Sequence, residues 1–446
     1  MTSADTGDRA LDRWLRVLAS RHPKDIDLDL SRCGAVWRRL GAPRPARRII
    51  TVAGTNGKGS TVAWISAVLG LLGERWAAYT SPHLLRFNER LRIDGRDVES
   101  DVLVAAFERV EAARSQTSLT YFEFTTLACF LIMAESSLDT AVLEVGLGGR
   151  LDTVNLVGAD IAVITPIGLD HQAFLGEDRL SIGREKAGIL RPGIPCIASE
   201  RHPPVSVVER AEALDCRLLL PHRDYELEGQ GHPGRLTFRL GEERVDFDAP
   251  VLAGPHQRDN LACGLAAVLT RHPPDARVRA ALDHGLASVS LPGRLQAVGH
   301  PPGWLIDVGH NPMAAAVIAE ALAARDQRCL CVLGMLADKD AESVARLLAP
   351  RVDAFLCGGL EDGWRAQPGH ALARRVRAAV GDDVPVLAFP TVGGAMVEAR
   401  RRSDGAHQVL VFGSFHTAAQ ALRWLHERGL DRPAPFAEQR DSAESG

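Results

Sequence analysis

A glycine-rich segment, Gly54 to Ser60 (GTNGKGS), contains residue types that bind phosphate. It lies between a predicted strand that ends at Ala53 and a predicted helix that begins near Lys58. Glycines let backbone N–H groups turn toward an anion, a helix N-terminus adds positive potential, and a lysine neutralises phosphate charge. The segment is two residues shorter than the common GxxxxGK[ST] loop and has Gly59 between the lysine and the serine. Because strand, glycines, lysine and helix coincide, it predicts a nucleotide phosphate site rather than a simple turn.

Three polar residues near the ends of other predicted strands have side chains that suit magnesium: Ser81, Glu144 and His171. The carboxyl ends of parallel strands face one crevice, so residues far apart in sequence converge there. Hard cations prefer oxygen ligands, with an occasional imidazole. Taken singly, each residue also has a structural interpretation, as a turn serine, a solvated strand-end carboxylate or a loop histidine. Lys186, in IGREKAGIL, has the ordinary interpretation of a solvated lysine near a helical turn.

Two series of alternating strand-like and helix-like segments must position these residues. The first runs from Arg48 to about Ser199 and the second begins near Trp304, which predicts an α/β fold with two domains. The predicted strands of both series are short aliphatic runs, at 49–53, 76–79, 140–145, 161–165, 304–307, 329–333, 354–357, 386–388 and 409–412. The predicted helices of the first series have apolar residues at helical spacing and lie at 58–72, 101–113 and 123–135.

The proline- and glycine-marked segment at 291–294 (LPGR) separates the two series. We therefore expect an N-terminal P-loop-type parallel-sheet ATPase domain at 1–292 and a C-terminal Rossmann-like α/β domain at 293–434. Residues 225–249 alternate in twos around glycine and proline, which predicts an antiparallel hairpin inserted into the first domain. Residues 435–446 have the mixed charges and proline of a flexible tail.

Composition narrows the class of protein. The 446 residues are 46% hydrophobic and 24% charged, close to an average globular protein, and the formal net charge of -4 gives no reason to expect nucleic acid as a partner. The longest apolar run, 124–134, is too short to span a membrane, and the N-terminus lacks the pattern of a signal peptide. The eight cysteines form no CxxC pair and are expected to be reduced core residues. We therefore expect a cytoplasmic protein, a monomer by default, that acts on small molecules.

Together these motifs resemble the folylpolyglutamate synthase and dihydrofolate synthase family, within the Mur-type amide ligases. The resemblance covers both predicted domains, and the motifs follow the family's order. The motifs that carry it are HPKDIDLDL at 22–30, GTNGKGS, YTSPHL, LTYFEFTTLA, LEVGLGGRLD, LDHQAFLG, IGREKAGIL, HQRDN, LPGR, DVGHNP, GMLADKD and GSFHT.

The resemblance assigns roles to the candidate ATP and metal residues. Those that would hold the ATP phosphates are Asn56, Gly57, Lys58 and Gly59, with Ser60 adding a metal contact. Those that would contact ATP elsewhere are Asn260, Arg294 and Asp307, with His310 close by. Two Mg²⁺ ions are implied, with Ser81, Glu144 and His171 as ligands and Lys186 as a carbamate that supports the second ion. The family's carbamylated lysine thus reverses the ordinary interpretation of Lys186. The residues expected to be catalytic are Lys58, Glu144, His171 and Lys186.

The resemblance also implies a site for dihydropteroate. Its predicted residues come from three segments: Ile26, Asp27, Leu28 and Asp29; Thr120, Tyr121, Phe122 and Glu123; and Leu151, Asp152 and Thr153. The chain departs from the family at three places. The family usually has glycine where Asp29 stands, LDATN where this chain has LDTVN at 151–155, and alanine where Gly309 stands. The first two departures bear on the pterin contacts and not on the ATP chemistry.

The implied activity is an ATP-dependent ligase. It would add L-glutamate to dihydropteroate, giving dihydrofolate, and to reduced folates, giving folylpolyglutamates, through an acyl phosphate and with release of ADP and phosphate. The presence of the first pterin segment favours both activities over polyglutamation alone. One alternative is a Mur-type ligase acting on another carboxylate, such as a cell-wall nucleotide precursor. A second alternative, of a different class, is a nucleotide-gated switch without ligase activity.

Overall fold

The structure is a computed structural model that describes residues 6–22, 24, 26–229, 234–252, 254–289, 291–299, 303–324, 329–361, 365–403 and 407–431. The predicted tail at 435–446 lies outside these residues. The chain divides into two compact units, Met1–Leu291 and Pro292–Gly446, and the division falls inside the LPGR segment. Among the described residues, no helix is both long enough and apolar enough to cross a membrane.

The first unit contains an eight-stranded sheet in the order β4-β3-β2-β5-β1-β6-β7-β8. The six strands β2, β5, β1, β6, β7 and β8 run parallel to one another in that order. Strands β3 and β4 form an antiparallel extension at the edge next to β2. The strand bounds are β1 Arg48–Ala53, β2 Trp76–Tyr79, β3 Leu91–Ile93, β4 Arg96–Asp97, β5 Thr140–Glu144, β6 Ile161–Ile164, β7 Pro195–Ala198 and β8 Arg217–Leu219. A parallel sheet of this kind confirms the predicted α/β class.

Helices cover both faces of this sheet. Their bounds are α1 Arg9–Arg21, α2 Leu30–Arg39, α3 Lys58–Leu71, α4 Ser100–Arg114, α5 Tyr121–Glu135, α6 Gln172–Leu175, α7 Arg179–Lys186, α8 Val205–Ala213, α9 Pro255–Leu269 and α10 Ala276–Gly285. Side chains of β1 alternate between two apolar cores, Ile49 and Ala53 toward one and Ile50 and Val52 toward the other. This period of two follows from the pleat of a strand buried on both faces. The second core contains α3 and α9, which pack together beside the phosphate segment.

The predicted hairpin at 225–249 is a three-stranded antiparallel sheet. Its strands are β9 Tyr225–Glu228, β10 Arg235–Leu240 and β11 Glu243–Asp248. Strand β10 pairs with β11 on one side and with β9 on the other, which gives one strand more than a hairpin has. Leu236, Phe238, Val245 and Phe247 on one face join the same core as α9. The insertion is therefore anchored to the helix that follows it.

The second unit contains a six-stranded sheet in the order β12-β13-β17-β14-β15-β16. Only the β12 pairing is antiparallel. The strand bounds are β12 Gln296–Val298, β13 Trp304–Ile306, β14 Cys329–Leu333, β15 Val352–Gly358, β16 Val386–Phe389 and β17 Gln408–Phe412. The helices are α11 Pro312–Ala323, α12 Ala341–Leu348, α13 Gly369–Val380, α14 Val392–Arg402 and α15 Phe415–Glu427. This is the α/β arrangement predicted for the C-terminal series.

Candidate active site

The phosphate segment turns sharply between β1 and α3, and two of its positions accept only glycine. A Cβ on Gly54, which has φ of +153°, would lie 1.8 Å from the Thr165 hydroxyl oxygen. Gly57 is the N-cap of α3 with φ of +84°, and a Cβ there would lie 2.6 Å from the side-chain oxygen of Asn260. Both approaches are closer than van der Waals contact permits. The segment therefore presents its backbone at the N-terminus of a 14-residue helix, the arrangement that binds phosphate.

Two lysines meet at the carbonyl oxygen of Gly54. Lys58 Nζ donates to it at 3.1 Å, and Lys186 Nζ donates to it at 2.7 Å. Lys186 is only 4% exposed. Burial, and then the nearby charge of Lys58, lower the pKa of Lys186 to about 7, against the opposing effect of Asp170 and Asp152. A lysine with a pKa near neutrality has an appreciable unprotonated fraction, and the neutral amine is the nucleophilic form.

Ser81 and Glu144 lie next to each other because β2 and β5 are adjacent parallel strands. The backbone N–H of Ser81 donates to Glu144 Oε2 at 3.1 Å, and Glu144 is 7% exposed. His171 precedes α6 with φ of +51°, and its Nε2 lies 4.0 Å from the carboxylate of Asp170. Asp170 in turn acts electrostatically on Lys186. The contacts thus place Ser81 with Glu144, and His171 with the acidic neighbour of Lys186.

The donor types of these residues fit magnesium. In the described part of the chain, no three His, Cys, Asp or Glu side chains form a group that could hold a metal ion by itself. Mg²⁺ in nucleotide enzymes is commonly held by one or two carboxylates together with water and phosphate oxygens. Glu144 with Ser81 supplies such a partial set at the carboxyl ends of adjacent strands. His171 and a carbamate on Lys186 remain predicted ligands.

Helix α9 adds a polar cluster to the first turn of α3. Gln257 Nε2 donates to the Ser60 hydroxyl at 3.3 Å, and Asn260 Nδ2 donates to Gln257 Oε1 at 3.3 Å. Asn260 Oδ1 accepts from the Thr61 hydroxyl at 3.5 Å. A role for Asn260 was predicted from the resemblance, whereas none was predicted for Gln257. Its position three residues before Asn260 in HQRDN, on the same helical face, was the available signal.

Arg32 joins two of the three predicted pterin segments. Its Nη1 lies 2.8 Å from Asp27 Oδ2, and its Nη2 lies 2.9 Å from Glu123 Oε1. Glu123 is 2% exposed, and its second oxygen accepts from the Thr120 N–H at 2.7 Å in a capping box that begins α5. No role was predicted for Arg32 from the sequence. Its spacing of three and five residues from Asp29 and Asp27, on the first turn of a helix, was the only signal.

The remaining pterin residues surround the same region. Buried Asp152 accepts from the N–H groups of Leu147 and Val154, each at 2.8 Å, and burial raises the pKa of Asp152 to about 6. The Thr153 hydroxyl lies 3.9 Å from Cys33 Sγ, one residue after Arg32. The predicted residues that are half-buried here are Ile26, Leu28, Leu151, Tyr121 and Phe122.

Asp29, where the family usually has glycine, has a structural role. It is the N-cap of α2, and its Oδ1 accepts from the Ser31 N–H at 2.9 Å. Its side chain also lies 3.6 Å from Arg32 Nη1. An aspartate at an N-cap satisfies a backbone donor that otherwise lacks a partner within the helix. The departure from the family pattern therefore stabilises the helix that carries Arg32.

In the second unit, Arg294, Asp307 and His310 are grouped by electrostatics. Asp307 is buried and accepts from the N–H groups of Leu295 at 2.8 Å and Gly309 at 2.7 Å. Burial raises the pKa of Asp307, while the charges of Arg294 and His310 oppose that shift. The structure thus brings together the three residues of this unit that were predicted to serve ATP.

Two further motifs of the second unit meet at the carboxyl ends of β14 and β17. The Thr417 hydroxyl of GSFHT donates to the Gly334 carbonyl of GMLADKD at 2.6 Å, and the Ser414 hydroxyl lies 2.8 Å from that of Thr417. Lys339 of GMLADKD is buried at 7% exposure. Both motifs carry the family resemblance, but no roles were predicted for their residues.

Comparisons with known proteins place this geometry in a family. The Mur ligase middle domain model matches residues 52–192, and the model of the Mur ligase, glutamate ligase domain matches residues 293–415. The dihydrofolate synthase/folylpolyglutamate synthase of Escherichia coli (strain K12) is 37% identical over 420 residues, which are 94% of this chain and 96% of that protein. The chain belongs to the dihydrofolate synthase/folylpolyglutamate synthase family of Mur ligases. It is accordingly an ATP-dependent ligase, as the motifs predicted.

Solved structures of this synthase family agree over almost the whole length. E. coli FolC in complex with DHPP and ADP has a TM-score of 0.86 at 36% identity, covering 96% of this chain and all of that one. A bifunctional folylpolyglutamate synthase/dihydrofolate synthase with Mn, AMPPNP and L-glutamate bound has a TM-score of 0.83 at 38% identity, covering 93% and 98% of the two chains. The predicted family and fold are confirmed. The roles of individual site residues stay predictions.

Proposed function

We propose that this chain adds L-glutamate to dihydropteroate, giving dihydrofolate, and to reduced folates, giving folylpolyglutamates. ATP is the co-substrate and Mg²⁺ the metal ion, in line with the nucleotide and metal complexes of its relatives. One observation carries the proposal. The candidate pterin residue Asp152 lies close enough to the phosphate-loop residue Lys58 for the lysine's charge to act on the pKa of its carboxyl. This supports neighbouring acceptor and phosphate sites in the first unit.

The first step makes the acceptor carboxylate reactive. Its oxygen attacks the γ-phosphorus of ATP, the bond to the β-phosphate oxygen breaks, and an acyl phosphate and ADP result. The backbone of the phosphate segment orients the phosphates, and Lys58 neutralises charge that shifts toward the leaving ADP. Asn56, Gly59 and Ser60 complete the loop that holds the phosphates. Asn260 in the first unit, and Arg294, Asp307 and His310 in the second, keep their predicted roles in binding ATP.

Magnesium would be held by Ser81, Glu144 and His171, with Lys186 as a carbamate supporting a second ion. When bound, the metal ions stabilise the charge on the β- and γ-phosphates. Carbamylation requires a neutral amine that attacks carbon dioxide and then loses a proton. The low pKa of Lys186, caused by burial and by Lys58, provides that amine at physiological pH. The carbamate would exchange a buried cation for a carboxylate-like ligand.

The second step forms the amide. The unprotonated amine of L-glutamate attacks the acyl carbon, and the tetrahedral intermediate expels phosphate. The second unit matches the glutamate ligase domain of the Mur family, which supports a role for it in this step. Its buried cation Lys339, in the loop after β14, has the charge that suits a carboxylate of glutamate. We further propose that the protein acts in the cytoplasm as a monomer.

The deciding experiment measures phosphate release with ATP, Mg²⁺ and L-glutamate, with dihydropteroate or tetrahydrofolate as acceptor and products identified by mass. Release with both acceptors is the expected result. Release with tetrahydrofolate alone would restrict the protein to polyglutamation. If neither acceptor supports glutamate-dependent phosphate release, the alternative ligase acting on another carboxylate is favoured. ATP hydrolysis that does not depend on glutamate would favour a nucleotide switch.

A further inference from the structure

Arg90 is a buried cation to which neither the predicted ATP site nor the predicted pterin site assigns a role. It ends the 3₁₀ turn Phe87–Arg90, immediately before β3, and is 8% exposed. Its Nε donates to His83 Nδ1 at 3.0 Å. Among the described residues, no carboxylate forms an ion pair with its guanidinium. A buried arginine ordinarily has such a partner, because an unpaired charge in a protein interior is strongly unfavourable.

The carboxylates nearest in sequence are already engaged. Both carboxylate oxygens of Glu89 accept hydrogen bonds from backbone N–H groups of the preceding loop. The donors are the N–H groups of Leu84, Leu85 and Arg86, at N···O distances of 2.8–2.9 Å. Asp94 pairs with Arg75 at 3.3 Å, and Asp97 pairs with Arg92 at 2.8 Å. Glu89 thus holds the loop between Ser81 and Arg90 in place. Within the part of the chain that the structure describes, the guanidinium of Arg90 donates only to the imidazole nitrogen of His83 and to no carboxylate.

Two aromatic rings fix the plane of the guanidinium. Its carbon lies 5.3 Å from the ring centroid of Phe87 and 5.4 Å from that of Tyr121. These contacts stabilise a cation in part, but they supply no hydrogen-bond acceptors. Tyr121 belongs to the candidate pterin segment, and His83, which orients the guanidinium, follows the candidate metal ligand Ser81 by two residues. The cation is therefore preorganised beside the acceptor residues.

ATP phosphates are less suitable partners for Arg90 than the acceptor is. The strand order β3-β2-β5-β1 places β3 three strand spacings, roughly 14 Å, from the strand that leads into the phosphate segment. Lys58 and Lys186 already supply positive charge at that segment. A planar guanidinium matches a carboxylate through two parallel hydrogen bonds.

We propose that Arg90 binds a carboxylate of the folate-type acceptor. The proposal rests on the function given above. Two acceptor groups share this chemistry: the reacting carboxylate, which both acceptors have, and the non-reacting α-carboxylate of the glutamyl group, which only reduced folates have. Arg90 is in either case a binding residue that determines affinity for the acceptor rather than for ATP.

The test compares full-length Arg90→Met and Arg90→Lys with wild type in the phosphate-release assay, using dihydropteroate and tetrahydrofolate separately. In Arg90→Met the KM for acceptor rises roughly 10- to 100-fold, as expected for a lost charge-assisted hydrogen bond, while the KM for ATP stays within about twofold. A rise with both acceptors identifies the reacting carboxylate, and a rise with tetrahydrofolate alone identifies the α-carboxylate. Arg90→Lys keeps the charge without the planar fork and gives an intermediate KM.

Arg92→Met is the matched control, since Arg92 lies two residues further along the chain, within β3, and already pairs with Asp97. Its KM values stay at wild-type level. Because Arg90→Met removes an unpaired buried charge, its melting temperature without ligand is unchanged or raised, whereas removal of a purely structural arginine lowers it. Unchanged acceptor KM values in a folded Arg90 variant, with wild type active, overturn the role of Arg90 alone. An inactive wild type removes the proposed function itself.

Discussion

At the residue scale, Glu144 is the candidate metal ligand with the clearest contacts. Replacing it with glutamine keeps its shape and its bond to the Ser81 N–H but removes the charge. We expect kcat to fall by roughly a hundredfold or more, the usual effect of removing a group that stabilises transition-state charge. Phosphate release measures the fall, and thermal melting verifies that the variant is folded. A kcat within tenfold of wild type would exclude Glu144 from metal binding.

Lys186 should make stability depend on pH in buffer depleted of carbon dioxide. Its pKa is about 7 in the folded state and near 10.5 when unfolded, so between these values the unfolded chain binds more protons. Stability therefore rises with pH across this interval, and the penalty for a buried charge is fully present below pH 7. We expect Lys186→Met to be more stable than wild type at pH 6 by roughly 1–4 kcal/mol, a gain that shrinks toward pH 10.

Urea unfolding of both proteins from pH 6 to pH 10 tests this expectation. Arg184→Met is a suitable control, because Arg184 lies on the same helix and shows no such burial. A Lys186→Met variant that is less stable than wild type at pH 6 would contradict the account. In buffer with bicarbonate, intact-mass measurement under non-acidic conditions should detect one added carbon dioxide on wild type and none on the variant.

The sequence suggested candidate site residues, but it did not predict the surroundings in which the structure places them. Lys58 sits in a glycine-rich motif that by itself predicts phosphate binding, whereas Glu144 received its predicted metal role from the resemblance. The burial of Lys186 was not visible, because IGREKAGIL has the composition of an exposed helix, and its contact with Gly54 joins positions far apart in the chain. Arg32 was missed for the same reason, since its partner Glu123 belongs to another element.

At the scale of elements, Arg32 ties the start of α2 to the start of α5. Arg32→Met would leave Glu123, which is buried and has a pKa raised by burial, without its cationic partner. We expect a loss of roughly 1–3 kcal/mol in stability and a rise of about tenfold in the KM for dihydropteroate. The KM for ATP should not change. Denaturant unfolding and steady-state kinetics measure these quantities.

An exposed arginine on the same helix provides the control for that prediction. Arg38→Met alters α2 at a position that contacts no pterin residue in the described hydrogen bonds. It should leave both KM values at wild-type level. If Arg32→Met binds dihydropteroate normally, the segment at 26–29 does not depend on this link.

Gly309, at the position where the family usually has alanine, lies in tightly packed surroundings in the second unit. A Cβ there would lie 2.6 Å from the Phe412 ring and 2.8 Å from the Ala314 Cβ. Gly309→Ala, which restores the family residue, should therefore destabilise the protein by roughly 1–3 kcal/mol, the typical effect of overpacking. Phe412→Leu should relieve part of that loss, and thermal melting of the single and double variants measures it. An alanine variant as stable as wild type would show that the surroundings adjust freely.

Predicted strands were most accurate where hydrophobic runs were continuous. The strands at 76–79 and 329–333 have the predicted bounds, and β1 and β17 differ by one residue at the start. The short strands β3 and β4 were missed because they carry charged residues at an exposed edge. The segment at 225–249 was correctly predicted to be antiparallel, but its number of strands was wrong: it has three, because β9 also pairs with β10. Strand β7, Pro195–Ala198, was also missed although it is an interior strand, because its run is only four residues long and begins with proline. Local pattern therefore predicts longer aliphatic strands well, and short or charged strands poorly.

At the scale of the whole molecule, the eight cysteines are distributed over both units, so their reactivity reports on burial throughout the fold. All eight are free, and only Cys216 is partly exposed. Burial raises the pKa of Cys33, Cys129, Cys263 and Cys357 to about 12, so these thiols are not reactive thiolates in the folded protein. We expect alkylation of the native protein to modify Cys216 first and the others only after unfolding. Mass spectrometry of peptides measures this order, and added reductant should not change the melting temperature.

Rapid labelling of several cysteines in the native protein would contradict that expectation, as would a disulfide in the purified chain. The sequence predicted reduced core thiols because the cysteines stand in apolar runs without paired spacing. It could not predict that Cys33 lies beside Thr153 in the candidate pterin region, since that contact joins two distant segments. The sequence thus predicts that the cysteines are reduced, while the contacts of each cysteine depend on its position in the fold.

The strand order of the first unit also bears on how the protein is made. Strand β5 lies between β1 and β2, although β1 and β2 leave the ribosome first. Strand β2 can pair early with β3, which follows it in the chain, but β1 pairs only with β5 and β6 and must wait for Thr140–Glu144 to emerge. Glu144 is the last residue of that inserted strand. The nascent chain therefore keeps the apolar strand β1 unpaired during a long stretch of translation, and a pause before β5 would prolong the period in which it is prone to aggregation.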